Sequence, residues 1–214
     1  LAMRGPARAA PARARAALAA GGAAAVAVVA GTPLAVDLQP SRLASGVFRS
    51  GQSAVELKEN RILFHQDGKT ATITVLEQRN GVRNLLTNGK SDGATHPRGQ
   101  VVTPDDHTVV MLGALGPIHH PQARTAAVIG LGTGTTSSVL LESPAITRVD
   151  TIEIEPMMVT AAQLFRPRSA KALDDPRSHI IVDDARAHFA KTRAQYDLIV
   201  SEPSNPWVSG VSNL

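Results

Sequence analysis

Residues 126–141 constrain this chain most. Ala126-Ala127-Val128-Ile129 is a short apolar run, Gly130-Leu131-Gly132-Thr133-Gly134 is a glycine loop, and Thr135-Thr136-Ser137-Ser138-Val139-Leu140-Leu141 reads as a helix. Strand, glycine turn and helix in that order open a parallel α/β sheet. The glycines allow the sharp reversal and let a ligand approach where a Cβ would otherwise stand. A second strand, Val149-Asp150-Thr151-Ile152-Glu153-Ile154, ends in acid. Its Glu153 lies about 20 residues past the glycines, the distance at which a ribose-binding carboxylate stands in nucleotide folds. Strand signals at 179–182 and 196–200 end in Asp183-Asp184 and Ser201-Glu202. Ligands of open α/β sheets bind at the carboxyl ends of the strands, so these four ends describe one site.

The loop departs from the dinucleotide pattern G-x-G-x-x-G, since Gly130 and Gly132 are followed by Gly134. The G-x-G-x-G form suits an adenosyl ligand whose polar tail lies against the loop. A tight packing turn is the plainer alternative. Glu153 and Glu155 share one face of an extended strand; the ribose is assigned to Glu153, and Glu155 is expected to be a solvated acid. Of Asp183 and Asp184, one would accept from an adenine amino group and the other would cap the helix expected at 185–192. In Ser201-Glu202-Pro203-Ser204-Asn205-Pro206-Trp207, two prolines stiffen a loop at a strand end. They would hold Glu202, Asn205 and Trp207 beside the reactive group, where a partly buried Glu can serve as a base toward an amine. A rigid loop without chemistry is the alternative. His107, His119 and His120 are expected to face solvent or cap a helix, and no metal is expected.

Ahead of the sheet the chain reads as β over 47–94. Asn80-Gly81 and Asn88-Gly89 mark tight turns, with strands at 62–65, 70–77 and 82–86. A helix is expected over 108–118, stopped near Pro117 and Pro121, and another over 156–165. Aromatic residues make up only 3% of the chain, so Val, Leu, Ile and Ala must build the core. The absence of cysteine excludes a disulfide framework and thiolate zinc sites. Arg4, Arg8, Arg13 and Arg15 account for the whole net charge of +4, because residues 17–214 balance. The basic charge is therefore that of a tail, and a nucleic-acid-binding face is not expected. Residues 17–36 carry no charge. They read as a membrane helix, a signal-like apolar stretch or an alanine-rich linker, and attachment to a membrane through them is one expectation. The expected divisions are an Ala/Arg-rich segment at 1–44, a β-hairpin domain at 45–104 and a Rossmann-like adenosyl-binding domain at 105–214. The chain does not begin with Met and stops soon after the fourth strand, so a longer parent protein is expected, with the sheet interrupted after strand four.

These residues resemble the polyamine aminopropyltransferases (spermidine synthases), and in particular a bacterial branch in which the unit follows a membrane region. The resemblance covers roughly 45–214. It rests on Asn88-Gly89-Lys90-Ser91-Asp92, Met111-Leu112-Gly113-Ala114-Leu115, the glycine loop, Glu153-Ile154-Glu155-Pro156, Asp183-Asp184 and the stretch from Tyr196 to Trp207. It implies a methyltransferase-type Rossmann sheet behind a small antiparallel β-domain, and transfer of an aminopropyl group from decarboxylated S-adenosylmethionine to a small-molecule amine. It also implies a homodimer. Gly130, Gly132 and Gly134 would hold the donor, Glu153 its ribose and Asp184 its adenine. Asp92, Thr108, Asn205 and Trp207 would line the substrate side, and Glu202 would be the catalytic base. Thr133, Asn205 and Thr108 depart from the family's Asp, Asp and Tyr. Two other functions compete with this one. The first is an S-adenosylmethionine-dependent methyltransferase, suggested by Ser204-Asn205-Pro206-Trp207. The second is a non-catalytic ligand-sensing module of a membrane protein.

Overall fold

The computed structural model describes residues 12–35, 39–47 and 51–201. The chain divides into two units, Leu1–Gln39 and Pro40–Leu214. In the first, helix α1 occupies Ala12–Ala35. Among the described residues no helix is long and apolar enough to cross a membrane, so the membrane-span reading of 17–36, part of which lies outside the described residues, finds no support there.

The second unit begins with a short helix, α2 (Pro40–Leu43), and an antiparallel sheet in the order β1-β2-β3-β4. Its strands are β1 (Asn60–Asp67), β2 (Thr72–Gln78), β3 (Arg83–Thr87) and β4 (Lys90–Thr95). The turns fall where the sequence places them. Gly81 has φ 80°, and the Asn80 side chain accepts from the Val82 N–H at 3.0 Å. Asn88 and Gly89 have φ 50° and 75°, the paired left-handed geometry of a two-residue hairpin.

Helix α3 (Pro104–His119) links the two sheets. It starts a turn earlier than expected because Thr103 and Asp106 form a capping box with Pro104 in the first turn. Pro117 lies inside the helix rather than ending it; so near the C-terminus it removes one backbone donor, and the His120 N–H closes the helix on the Gly116 carbonyl at 2.8 Å.

The second sheet is parallel, in the order β7-β6-β5-β8, with β5 (Thr125–Ile129), β6 (Arg148–Glu153), β7 (Ser178–Val182) and β8 (Leu198–Ser201). Parallel neighbours need crossovers. These are α4 (Thr135–Leu140), then α5 (Pro156–Ala162) with a 3-10 turn at Gln163–Phe165 and α6 (Ala170–Asp174), then α7 (Ala185–Lys191). The chain winds outward from β5 to β6 and β7, then returns to place β8 on the other side of β5. The carboxyl end of β5 is therefore the switch point at which open α/β sheets bind ligands. Asp197 precedes β8 and accepts from the Arg124 and Thr125 N–H groups at 2.8 and 2.9 Å, so Tyr196 and Asp197 lead into the strand rather than forming its start.

Two apolar clusters make the core. One unites Ala126, Val128, Val149 and Val200 of the parallel sheet with Leu140 and Leu141. The other joins Ile73, Val75 and Leu85 of the antiparallel sheet to Met158, Ala161, Ala162 and Phe165. This second cluster docks the β-hairpin sheet onto α5, so the two sheets share a core and the start of β4 is held close to the glycine loop.

Candidate functional site

At the switch point Gly130, Gly132 and Gly134 have φ 90°, 51° and 77°, a region closed to most side chains. A Cβ on Gly130 or Gly132 would meet nothing within 4 Å. Their open side faces a cavity of about 490 Å³ between the loop and β4. Gly134 differs. A Cβ there would stand 3.0 Å from that of Ser169, so this glycine serves packing and does not line the cavity. From the other wall, Gly93 of β4 faces Thr133, and a Cβ on it would make ordinary contact with the threonine methyl at 3.4 Å.

Glu153 ends β6 with its carboxylate turned into this cavity. One oxygen accepts from the Leu131 N–H at 2.8 Å and the other from the Glu155 N–H at 2.9 Å. It thus ties the strand end to the loop and still has lone pairs for two adjacent hydroxyls. Burial pushes its carboxyl above the usual range, opposed by those two backbone donors.

Glu155 is not the solvated acid that strand alternation suggests. β6 ends at Glu153, and Glu155 turns inward to cap α5, accepting from the Met157 N–H at 2.9 Å. Its other oxygen accepts from the Thr70 N–H and hydroxyl at 2.6 and 2.8 Å and from the Ala71 N–H at 3.2 Å. Burial alone would raise its pKa, but these donors outweigh it and hold the carboxyl at about 2. One carboxylate therefore fastens the β1–β2 hairpin to the start of α5, two residues from Glu153.

Of the residues singled out from sequence, the cavity gathers Gly130, Gly132, Glu153 and Asp92. Thr108 is exposed, and α3 instead turns Asp105, Val109 and Leu112 to the cavity. Asp183 pairs with Lys191 at 2.6 Å, and Asp184 caps α7 by accepting from the Ala187 N–H at 2.7 Å. Neither lines the cavity, although the Asp183 N–H reaches the Glu153 carbonyl at 3.1 Å. Glu202, Asn205 and Trp207 lie outside the described residues. Two charged cavity residues, Asp105 and Lys90, are additional to those assigned from sequence. Asp105 accepts from the Ala94 N–H at 2.7 Å, and Lys90 forms an ion pair with Asp92. The signals were there: 105, 109 and 112 follow helical spacing, and 90 and 92 share one face of a strand. Among the described residues no cluster of His, Asp and Glu could hold a metal ion.

The spermine/spermidine synthase domain model matches residues 107–212. The polyamine aminopropyltransferase of Moorella thermoacetica is 27% identical over 154 residues, which is 72% of this chain and 52% of that protein. The polyamine aminopropyltransferase of Agathobacter rectalis is 30% identical over 87 residues, 41% of this chain and 30% of that protein. The chain thus spans about half or less of the length of these relatives. The fold is similar to that of spermidine synthase from Thermotoga maritima, with TM-score 0.57 and 17% identity, over 68% of this chain and 48% of that one. It is equally similar, at TM-score 0.57 and 17% identity, to a spermidine synthase in complex with the transition state analogue AdoDATO, over 66% of this chain and 47% of that one.

Proposed function

The chain belongs to the spermine/spermidine synthase family, and from that premise we propose that it transfers an aminopropyl group from decarboxylated S-adenosylmethionine to an amine in polyamine biosynthesis. The observation that carries this reading is the cavity at the carboxyl end of β5. There, two glycines with open flanks and the inward-turned Glu153 form one wall opposite β4.

In this reading Glu153 receives the ribose hydroxyls, and the backbone at Gly130 and Gly132 lies along the donor's sulfonium end. By family resemblance Asp184, whose Oδ1 also caps α7, serves the adenine from the end of β7. Asp92 attracts the ammonium groups of the reactants, with charge-assisted hydrogen bonds suited to that task. The attacking nitrogen forms a bond to the methylene carbon next to sulfur as the C–S bond breaks. The electron pair leaves with methylthioadenosine, and the proton lost by the amine passes to Glu202, the base assigned by family resemblance. The protein contributes placement of two reactants and a proton acceptor. Homodimer formation belongs to the same reading, and light scattering of the full-length protein tests it.

The function is tested by following methylthioadenosine release when full-length protein is mixed with decarboxylated S-adenosylmethionine and a panel of amines. Release that depends on an amine is expected. Group transfer from intact S-adenosylmethionine, with none from the decarboxylated donor, would refute the reading in favour of a methyltransferase.

A further inference from the structure

We propose that the amine accepted in this cavity carries a carboxylate, and that Lys90 is the residue that recognises it. The proposal rests on the aminopropyl-transfer reading, in which the donor itself has no carboxylate.

Lys90 and Asp92 stand two residues apart on β4, so the pleat sends both side chains to one face, and both line the cavity. Lys90 is the one cation among the described lining residues. Its side chain is only 13% exposed, against 26% for Asp92, and the two are ion-paired. An ammonium offers three N–H donors, and Asp92 Oδ1 takes one. The other lining carboxylates are bonded to backbone N–H groups: Asp105 Oδ2 receives the Ala94 N–H, and Glu153 accepts from Leu131 and Glu155.

A fixed pair of opposite charges in a cavity wall complements a ligand that itself carries both signs. The ammonium of an α-amino acid would face Asp92 and its carboxylate would face Lys90. A plain diamine brings a second positive charge instead. That charge would meet an ammonium already sealed in the wall, where low dielectric strengthens repulsion as much as attraction. Specificity would thus come from a built-in repulsive element as well as an attractive one. The bond changes of the transfer are unaltered, because the carboxylate is a recognition handle remote from the attacking nitrogen.

Ornithine and putrescine differ by one carboxylate, as do lysine and cadaverine. Each would be titrated calorimetrically into the full-length protein with methylthioadenosine present, and methylthioadenosine release from the decarboxylated donor would be measured in parallel. The carboxylated member of each pair is expected to bind at least tenfold more tightly. Lys90→Met should abolish that preference, and Lys90→Arg, which keeps the charge, should retain it. Equal or tighter binding of the diamines to wild type, or a preference that survives in Lys90→Met, would overturn the proposal. So would tighter binding of S-adenosylmethionine than of its decarboxylated form that is lost in Lys90→Met, since this would place the carboxylate on the donor. Turnover with the diamines preferred would uphold aminopropyl transfer and refute the role of Lys90. Lys90-dependent binding of carboxylated amines without any turnover would support recognition and refute the transfer.

Discussion

Removing the Glu155 carboxylate should loosen the β1–β2 hairpin from the parallel-sheet domain. Glu155→Ala deletes an N-cap, worth about 1 kcal/mol, and the charge-assisted bonds to Thr70 and Ala71, each worth about 1.5–3 kcal/mol. Because these bonds share one oxygen they do not add in full, and a total near 3–4 kcal/mol is expected. The depressed carboxyl expresses the same bonds as a proton affinity. The group falls from 4.5 to about 2 on folding, which corresponds to roughly 3 kcal/mol. A depressed folded pKa stabilises above the unfolded value, so this contribution is complete above about pH 4.5 and disappears as pH falls through about 2. The assay is urea unfolding followed by circular dichroism from pH 7 to pH 2.5, with wild type beside Glu155→Gln, which cannot titrate. The stability gap should be largest at neutral pH and should narrow below pH 4.5. A gap under about 0.5 kcal/mol at pH 7, or one that does not change with pH, would refute the latch.

Two further substitutions probe neighbouring features. A Cβ on Gly68 would lie 2.1 Å from the Glu155 carboxylate, so Gly68→Ala should cost about 1–3 kcal/mol in the same urea assay, and it should be strongly non-additive with Glu155→Ala because both break one contact. Asp184→Ala removes the cap of α7 and should cost about 1 kcal/mol by thermal melting.

Much of this fold is legible in the sequence because single residues dictate it. Asn80-Gly81 and Asn88-Gly89 each supply the positive φ of a tight turn, and the glycine loop between an apolar run and a helix leaves few alternatives to a parallel sheet. The site was harder to read, for geometric reasons. One residue along a helix is a rotation of about 100°, so Thr108 faces solvent while Val109 faces the cavity. Position at a strand end does not say which way a carboxylate turns: Glu153 points inward, whereas Asp183 and Asp184 take local partners. Strand alternation makes Glu155 a solvated acid only if the strand continues to it, and β6 ends two residues earlier. Lys90 has no assigned role in the sequence, and it is the packing of β4 over the glycine loop that places it on the cavity. An uncharged run of 20 residues at 17–36 has the length of a membrane span, and among the described residues no helix is long and apolar enough to be one.

In the proposed function Glu153 and the glycine loop bind an adenosyl donor. The most direct test is calorimetric titration of decarboxylated S-adenosylmethionine into the full-length protein and its Glu153→Ala variant, with melting curves showing that both are folded. Saturable binding to wild type that weakens at least tenfold in the variant is expected. Equal affinity in the two proteins, or no binding by folded wild type, would contradict it.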